Sequence, residues 1–155
     1  MLGVHHSAIC TADVERSLRF WRDGLGLTEL FDYTFTGDWP ELFGAKTNRL
    51  RSTFLGDPQA PNTGIVELVK FADADADADA DVALPATPES GAPRHGFFLL
   101  SLRRNVDETL CTLAALGFTT GVRRIDVVAP DGQTVPMAVI TAPDGVLVEL
   151  IGPAQ

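Results

Sequence analysis

Three sets of residues in this chain have the chemistry of a reaction site. His6 stands beside His5 in the run HHSAIC, Glu67 and Glu149 each sit inside a Val-Glu-Leu triplet, and His95 precedes Phe97 in PRHGFFLLSL, Pro93 to Leu102. Imidazole titrates near neutrality and ligates metals, and a positioned carboxylate moves protons. Each candidate has a quieter reading. Either of His5 and His6 could be an ordinary strand histidine, and His95 a loop histidine following Pro93 and Arg94. At period two, Val and Leu flanking each glutamate face a core and the glutamates face the other way, where a lone carboxylate is simply solvated.

The elements that must position these residues repeat. HHSAICTADVERSLRFWRDGLGL leads through a long middle to GIVELVKF, and GFFLLSLRRNVDETLCTLAALGF leads through another to GVLVELIG. Val14, Leu18, Trp21 and Leu25 mark one apolar helical face, with Asp13 as N-cap. In the second half Asn105 and Glu108 form a capping-box-like pair, and Val106, Leu110, Leu113 and Ala114 form the stripe. Gly26 and Gly117 follow the helices where a left-handed residue is wanted. NRLRSTFL alternates, with Leu50, Ser52 and Phe54 on one face. Asp131-Gly132 and Asp144-Gly145 punctuate β-branched runs, which predicts an antiparallel meander. Each half therefore reads as strand, helix and three further strands, with the second sheet face left open. Glutamates at equivalent ends of two such units are harder to dismiss as solvated surface.

Between the halves runs FADADADADADVALPATPESGAP. Alternating Asp and Ala offers nothing to a core, and the facing aspartates repel, so this reads as linker. The expected division is a first module over 1–71, a linker over 72–92 and a second module over 93–152, making one domain in all. The net charge is −9, with five of the negatives at Asp73, Asp75, Asp77, Asp79 and Asp81. An acidic chain without a basic stripe is not expected to bind nucleic acid. The pairs Arg103–Arg104 and Arg123–Arg124 read as solvated surface. Cys10 and Cys111 have no CxxC spacing, and Cys111 reads as a small apolar residue on the second helix. No apolar run approaches a membrane span of ~20 residues, and the N-terminus lacks signal-peptide character. A cytoplasmic protein is expected.

The chain resembles the vicinal oxygen chelate superfamily, which includes glyoxalase I, bleomycin-resistance proteins and extradiol dioxygenases. The likeness rests on His6-Ser7-Ala8-Ile9, Ala12 to Asp23, Leu25-Gly26-Leu27, Val66-Glu67-Leu68 and Ala142 to Gly145 leading to Val148-Glu149-Leu150. It implies an α+β fold of two βαβββ modules forming a curved, cup-like mixed sheet, a small-molecule substrate and a homodimer. It also implies a divalent metal ion (Zn, Ni, Fe or Mn) on His6, Glu67 and Glu149, with Glu149 or Glu67 moving a proton next to a carbonyl.

The fourth position of such a set falls in PRHGFFLLSL. His6 precedes Val14 by eight residues, and counting back from Val106 reaches Phe98 at eight, Phe97 at nine and His95 at eleven. Alternation places Phe98, Leu100 and Leu102 against the helix, and Phe97, Leu99 and Ser101 in the cup. The family pattern puts Phe97 in the histidine's place, with His95 a strand step of roughly 6–7 Å further back. The leading expectation is a metal-dependent isomerase, epimerase or lyase of glyoxalase type. The rival is a metal-free drug-binding protein of bleomycin-resistance type, walled by Phe97, Phe31, Tyr33, Phe35 and Trp39. Extradiol oxygenation is the weaker enzyme reading, because that branch places a histidine where this chain has Glu67.

Overall fold

In the computed structural model, which describes residues 3–72 and 96–154, the βαβββ order occurs twice. The first unit runs β1 (His6–Cys10), α1 (Val14–Leu18) continued by a π-helical segment (Arg19–Gly24), β2 (Thr28–Thr36), α2 (Trp39–Phe43), β3 (Arg49–Gly56) and β4 (Ile65–Phe71). The second runs β5 (Leu100–Arg103), α3 (Val106–Ala115), β6 (Arg123–Val128), β7 (Thr134–Thr141) and β8 (Leu147–Ile151). Each unit carries one four-stranded mixed sheet, ordered β1-β4-β3-β2 and β5-β8-β7-β6. In both, the first strand lies parallel to the last and the remaining pairs are antiparallel. The segment read as a linker, 72–92, lies outside the described residues apart from Ala72, and so does His95.

The helix signals act as their chemistry requires. Asp13 accepts from the Arg16 amide at 2.9 Å and Asn105 from the Glu108 amide at 3.2 Å, satisfying amides that have no partner within the first turn. Gly26 and Gly117, at φ 71° and 88°, end the two helices. Val14, Leu18, Trp21 and Leu25 are all buried. The first helix departs from regular phase after Leu18. The Leu25 amide donates to the Phe20 carbonyl at 3.0 Å, an i→i+5 bond that widens the turn. Phe20 is thereby buried alongside Trp21, both at 0% exposure. In α3 the buried stripe is Val106, Thr109 and Leu113; Ala114, expected on it, is exposed, as is Cys111.

One face of each sheet packs on its helix. In the first unit Ile9, Leu55, Val66 and Leu68 are buried, and in the second Ala138, Ile140, Val148 and Leu150. Ser17 and Thr11, both buried, tie α1 to the end of β1 through a hydroxyl pair at 2.8 Å. Asp32 on β2 receives two bonds from Arg51 on β3, at 3.0 and 2.7 Å, and one from Thr53 at 3.2 Å. The Arg51 guanidinium holds the Asp32 carboxyl below its ordinary value of 3.8. A depressed carboxyl contributes stability above its unfolded value and loses it as pH falls through the folded one. Asp32→Asn is thus expected to cost about 1 kcal/mol near neutrality, a modest figure because the two side chains keep 27% and 34% of their surface in water. Urea midpoints of variant and parent should converge as pH drops below 3.8; a gap that stays constant with pH would remove the ion pair as its cause.

Candidate functional site

On the first sheet the helix-averted face gathers the predicted residues. Glu67 alternates out of the core between Val66 and Leu68, which are 3% and 1% exposed. Its register partner on β1 is Ala8, and His6 lies one step along on the same face. The His6 Nε2 and Glu67 Oε2 atoms are 3.2 Å apart. The other carboxylate oxygen, Oε1, accepts from the Ser52 hydroxyl at 2.5 Å, so Ser52 orients Glu67 from β3. His6 Nδ1 meets His5 Nδ1 at 2.9 Å, and one of those nitrogens must carry the proton. If His5 donates, His6 Nε2 is protonated and donates to Glu67. If His6 donates, its Nε2 lone pair faces a carboxylate, an arrangement that a cation between them would stabilise.

The spacing suits such a cation. Bonds of about 2.0–2.2 Å to nitrogen and oxygen put two donors about 3.0–3.4 Å apart at octahedral to tetrahedral angles, and the observed 3.2 Å lies inside that interval. Within either module, no group of three His, Cys, Asp or Glu side chains able to hold a metal forms among the described residues. His6 and Glu67 therefore fit as a two-donor edge.

Aromatic rings flank this pair. Phe54, opposite Glu67 in the register, stacks on the His6 ring at 5.6 Å between centroids. Phe31 pairs with Phe54, Tyr33 with Ser52 and Phe35 with Leu50. Phe31, Tyr33 and Phe35 form a ladder with centroids 5.0–6.2 Å apart, and they are 41%, 58% and 38% exposed. Trp39 on α2 stacks on Phe43, which meets Phe71 edge-on. Sequence reasoning missed Ser52 as a partner of Glu67 and did not identify α2, although Asp38 before Trp39-Pro40 was a usable N-cap signal.

In the second module Glu149 has the same setting, between Val148 and Leu150 at 0% exposure. Its partner on β5 is Ser101, as Ala8 is for Glu67, so the residue mirroring His6 is Leu99. This corrects the placement of Phe97 there. The connection from Ser101 to Val106 is one residue shorter than that from Ala8 to Val14, so counting back from the helix overshoots. Phe97 and Phe98 precede the strand and are 73% and 51% exposed, and Phe98 does not join the helix-facing layer. A cavity of about 250 Å³ on this sheet is lined by Arg123, Ile125, Met137, Ala138, Val139 and Glu149. Arg123 is exposed, as the sequence leads one to expect, and it also borders this cavity.

Comparison with known proteins agrees with the fold. The lactoylglutathione lyase-like protein terB of Aspergillus terreus is 37% identical over 120 residues, covering 74% of this chain and 57% of that protein. The chain thus spans little more than half of that relative's length. The solved glyoxalase family protein of Bacillus cereus superposes with a TM-score of 0.70 at 14% identity, covering 98% of this chain and 94% of that one. The trypanothione-dependent glyoxalase I of Leishmania major gives 0.59 at 21% identity, covering 98% and 87%. Among the described residues no helix is long and apolar enough to cross a membrane. The family model described as the Glyoxalase/Bleomycin resistance protein/Dioxygenase superfamily matches residues 3–150, and the chain belongs to that superfamily.

Proposed function

We propose that this protein is a metal-dependent lyase or isomerase of glyoxalase type that moves a proton next to the carbonyl of a small substrate. The observation that carries the reading is the His6–Glu67 pair, whose 3.2 Å separation suits two corners of a divalent cation's shell. Such a cation would supply a Lewis acid for the carbonyl oxygen. Ser52 fixes one Glu67 oxygen and leaves the other toward His6. Glu149, half-buried in the second module, is assigned the proton transfer, removing a proton α to the carbonyl and returning it. The name of the Aspergillus terreus relative points to the same reaction type. A homodimeric, cytoplasmic protein is part of the same proposal.

A metal-free binding protein is the second reading, favoured by Leu99 in the position mirroring His6 and by the exposed ladder of Phe31, Tyr33 and Phe35. Metal analysis of protein purified without an affinity tag separates the two. The enzyme reading expects near-stoichiometric metal that falls at least tenfold in His6→Ala, with a smaller fall in Ser52→Ala, the residue that orients Glu67. Failure to take up Ni, Zn, Mn or Fe, or metal content indifferent to His6→Ala, would leave only the binder.

A further inference from the structure

The cavity of the second module has an internal order that its composition does not reveal. Arg123 on β6 pairs with Val139 on β7, and Val139 pairs with Glu149 on β8. Cation, apolar side chain and carboxylate therefore lie in one row across three strands, with the ends about 9–10 Å apart at ~4.8 Å per strand. Beside that row Ile125 pairs with Met137, completing an apolar wall. The corresponding row of the first module is Phe31, Phe54 and Glu67, so the cation belongs to the second module alone.

Arg123 also differs from its neighbour. Arg124, on the opposite face by alternation, is clamped by Asp107 and Asp126 at 2.8 Å each. Arg22 and Arg51 have acidic partners as well. Among the described residues Arg123 has no such pair, in a chain with 21 acidic residues. Its planar fork matches a carboxylate bidentately, and the adjoining surface is apolar.

We propose that Arg123 anchors the carboxylate of a small organic monoacid, whose apolar body lies over Ile125, Met137 and Val139 and whose far end meets Glu149. This names a substrate class for the proton-transfer reading and rests on it for the role of Glu149. The far end must be uncharged or a proton donor, because a second carboxylate there would be repelled by Glu149. A cavity of about 250 Å³, with Ile125 60% exposed at its edge, covers the apolar body of a short acid and stays open to solvent along β6.

The test is a titration of isotope-labelled protein with hexanoate, hexanamide and adipate, followed through backbone amide shifts. Saturable shifts at Arg123, Ile125 and Val139 are expected with hexanoate, with hexanamide and adipate binding at least tenfold more weakly. Arg123→Gln should abolish the preference for hexanoate over hexanamide, and Arg123→Lys should retain part of it. Equal binding of acid and amide, a preference that survives Arg123→Gln, or no saturable shift on β6 to β8 would overturn the assignment. The titration needs neither metal nor turnover, so its failure leaves the proton-transfer reading intact. Absence of metal binding, conversely, leaves the acid site standing.

Discussion

Replacing Trp21 by alanine is expected to destabilise the protein by about 3–5 kcal/mol, the range for emptying a buried aromatic site. Trp21 and Phe20 are the two largest buried side chains of the first module, both at 0% exposure. Their rings meet edge-on at 5.3 Å and 78°, a favoured aromatic geometry. Trp21→Phe should cost far less. Among the described residues the buried Trp21 indole nitrogen has no hydrogen-bond partner, and an unmade buried bond carries a penalty of about 1–3 kcal/mol. Phenylalanine gives up ring area but removes that penalty, so a net loss of about 1 kcal/mol is expected. Urea unfolding followed by circular dichroism checks both values. A loss below 1 kcal/mol for Trp21→Ala, or equal losses for the two variants, would mean that this core is not as tightly held as its geometry requires.

Phe20 also shows where reading the sequence stops. Period 3.6 identifies Val14, Leu18, Trp21 and Leu25, because each lies on one face of a regular helix. It misses Phe20, since a π turn advances the phase by one residue and nothing in RFWRDG announces it. Period two is similarly reliable for what lies on one strand: it places Glu67, Glu149, Leu50, Ser52 and Phe54 on their observed faces. It is silent on register between strands. The bond from Ser52 to Glu67 and the row Arg123–Val139–Glu149 both arise from such pairings. Arg123 and Arg124 look alike in sequence, and only the sheet puts one on a cavity and the other between two aspartates. The mirror of His6 is Leu99 rather than Phe97 because the second strand-to-helix connection is a residue shorter, which neither the count back from Val106 nor the family pattern reveals.

Glu149→Gln is expected to lower kcat by about 10²–10⁴, the usual contribution of a positioned general base, with little change in fold or metal content. The division of labour between the two glutamates motivates this. Glu67 has one oxygen on the Ser52 hydroxyl and the other toward His6, so its lone pairs are committed to orientation and to whatever cation the pair holds. Glu149 makes no hydrogen bond or ion pair among the described residues, and its carboxylate lines a cavity with apolar walls. A free carboxylate on such a wall can accept a proton and release it without dismantling a network. Glutamine keeps the shape and removes only that capacity. Glu67→Gln should show the opposite pattern, with weaker metal binding and activity recovered at high metal concentration. Exchange of the α-proton of a small carbonyl substrate for deuterium, together with metal analysis, distinguishes the two variants. Unimpaired turnover in Glu149→Gln would transfer the proton-moving role to Glu67. A loss of metal in that variant comparable to His6→Ala would instead make Glu149 a ligand.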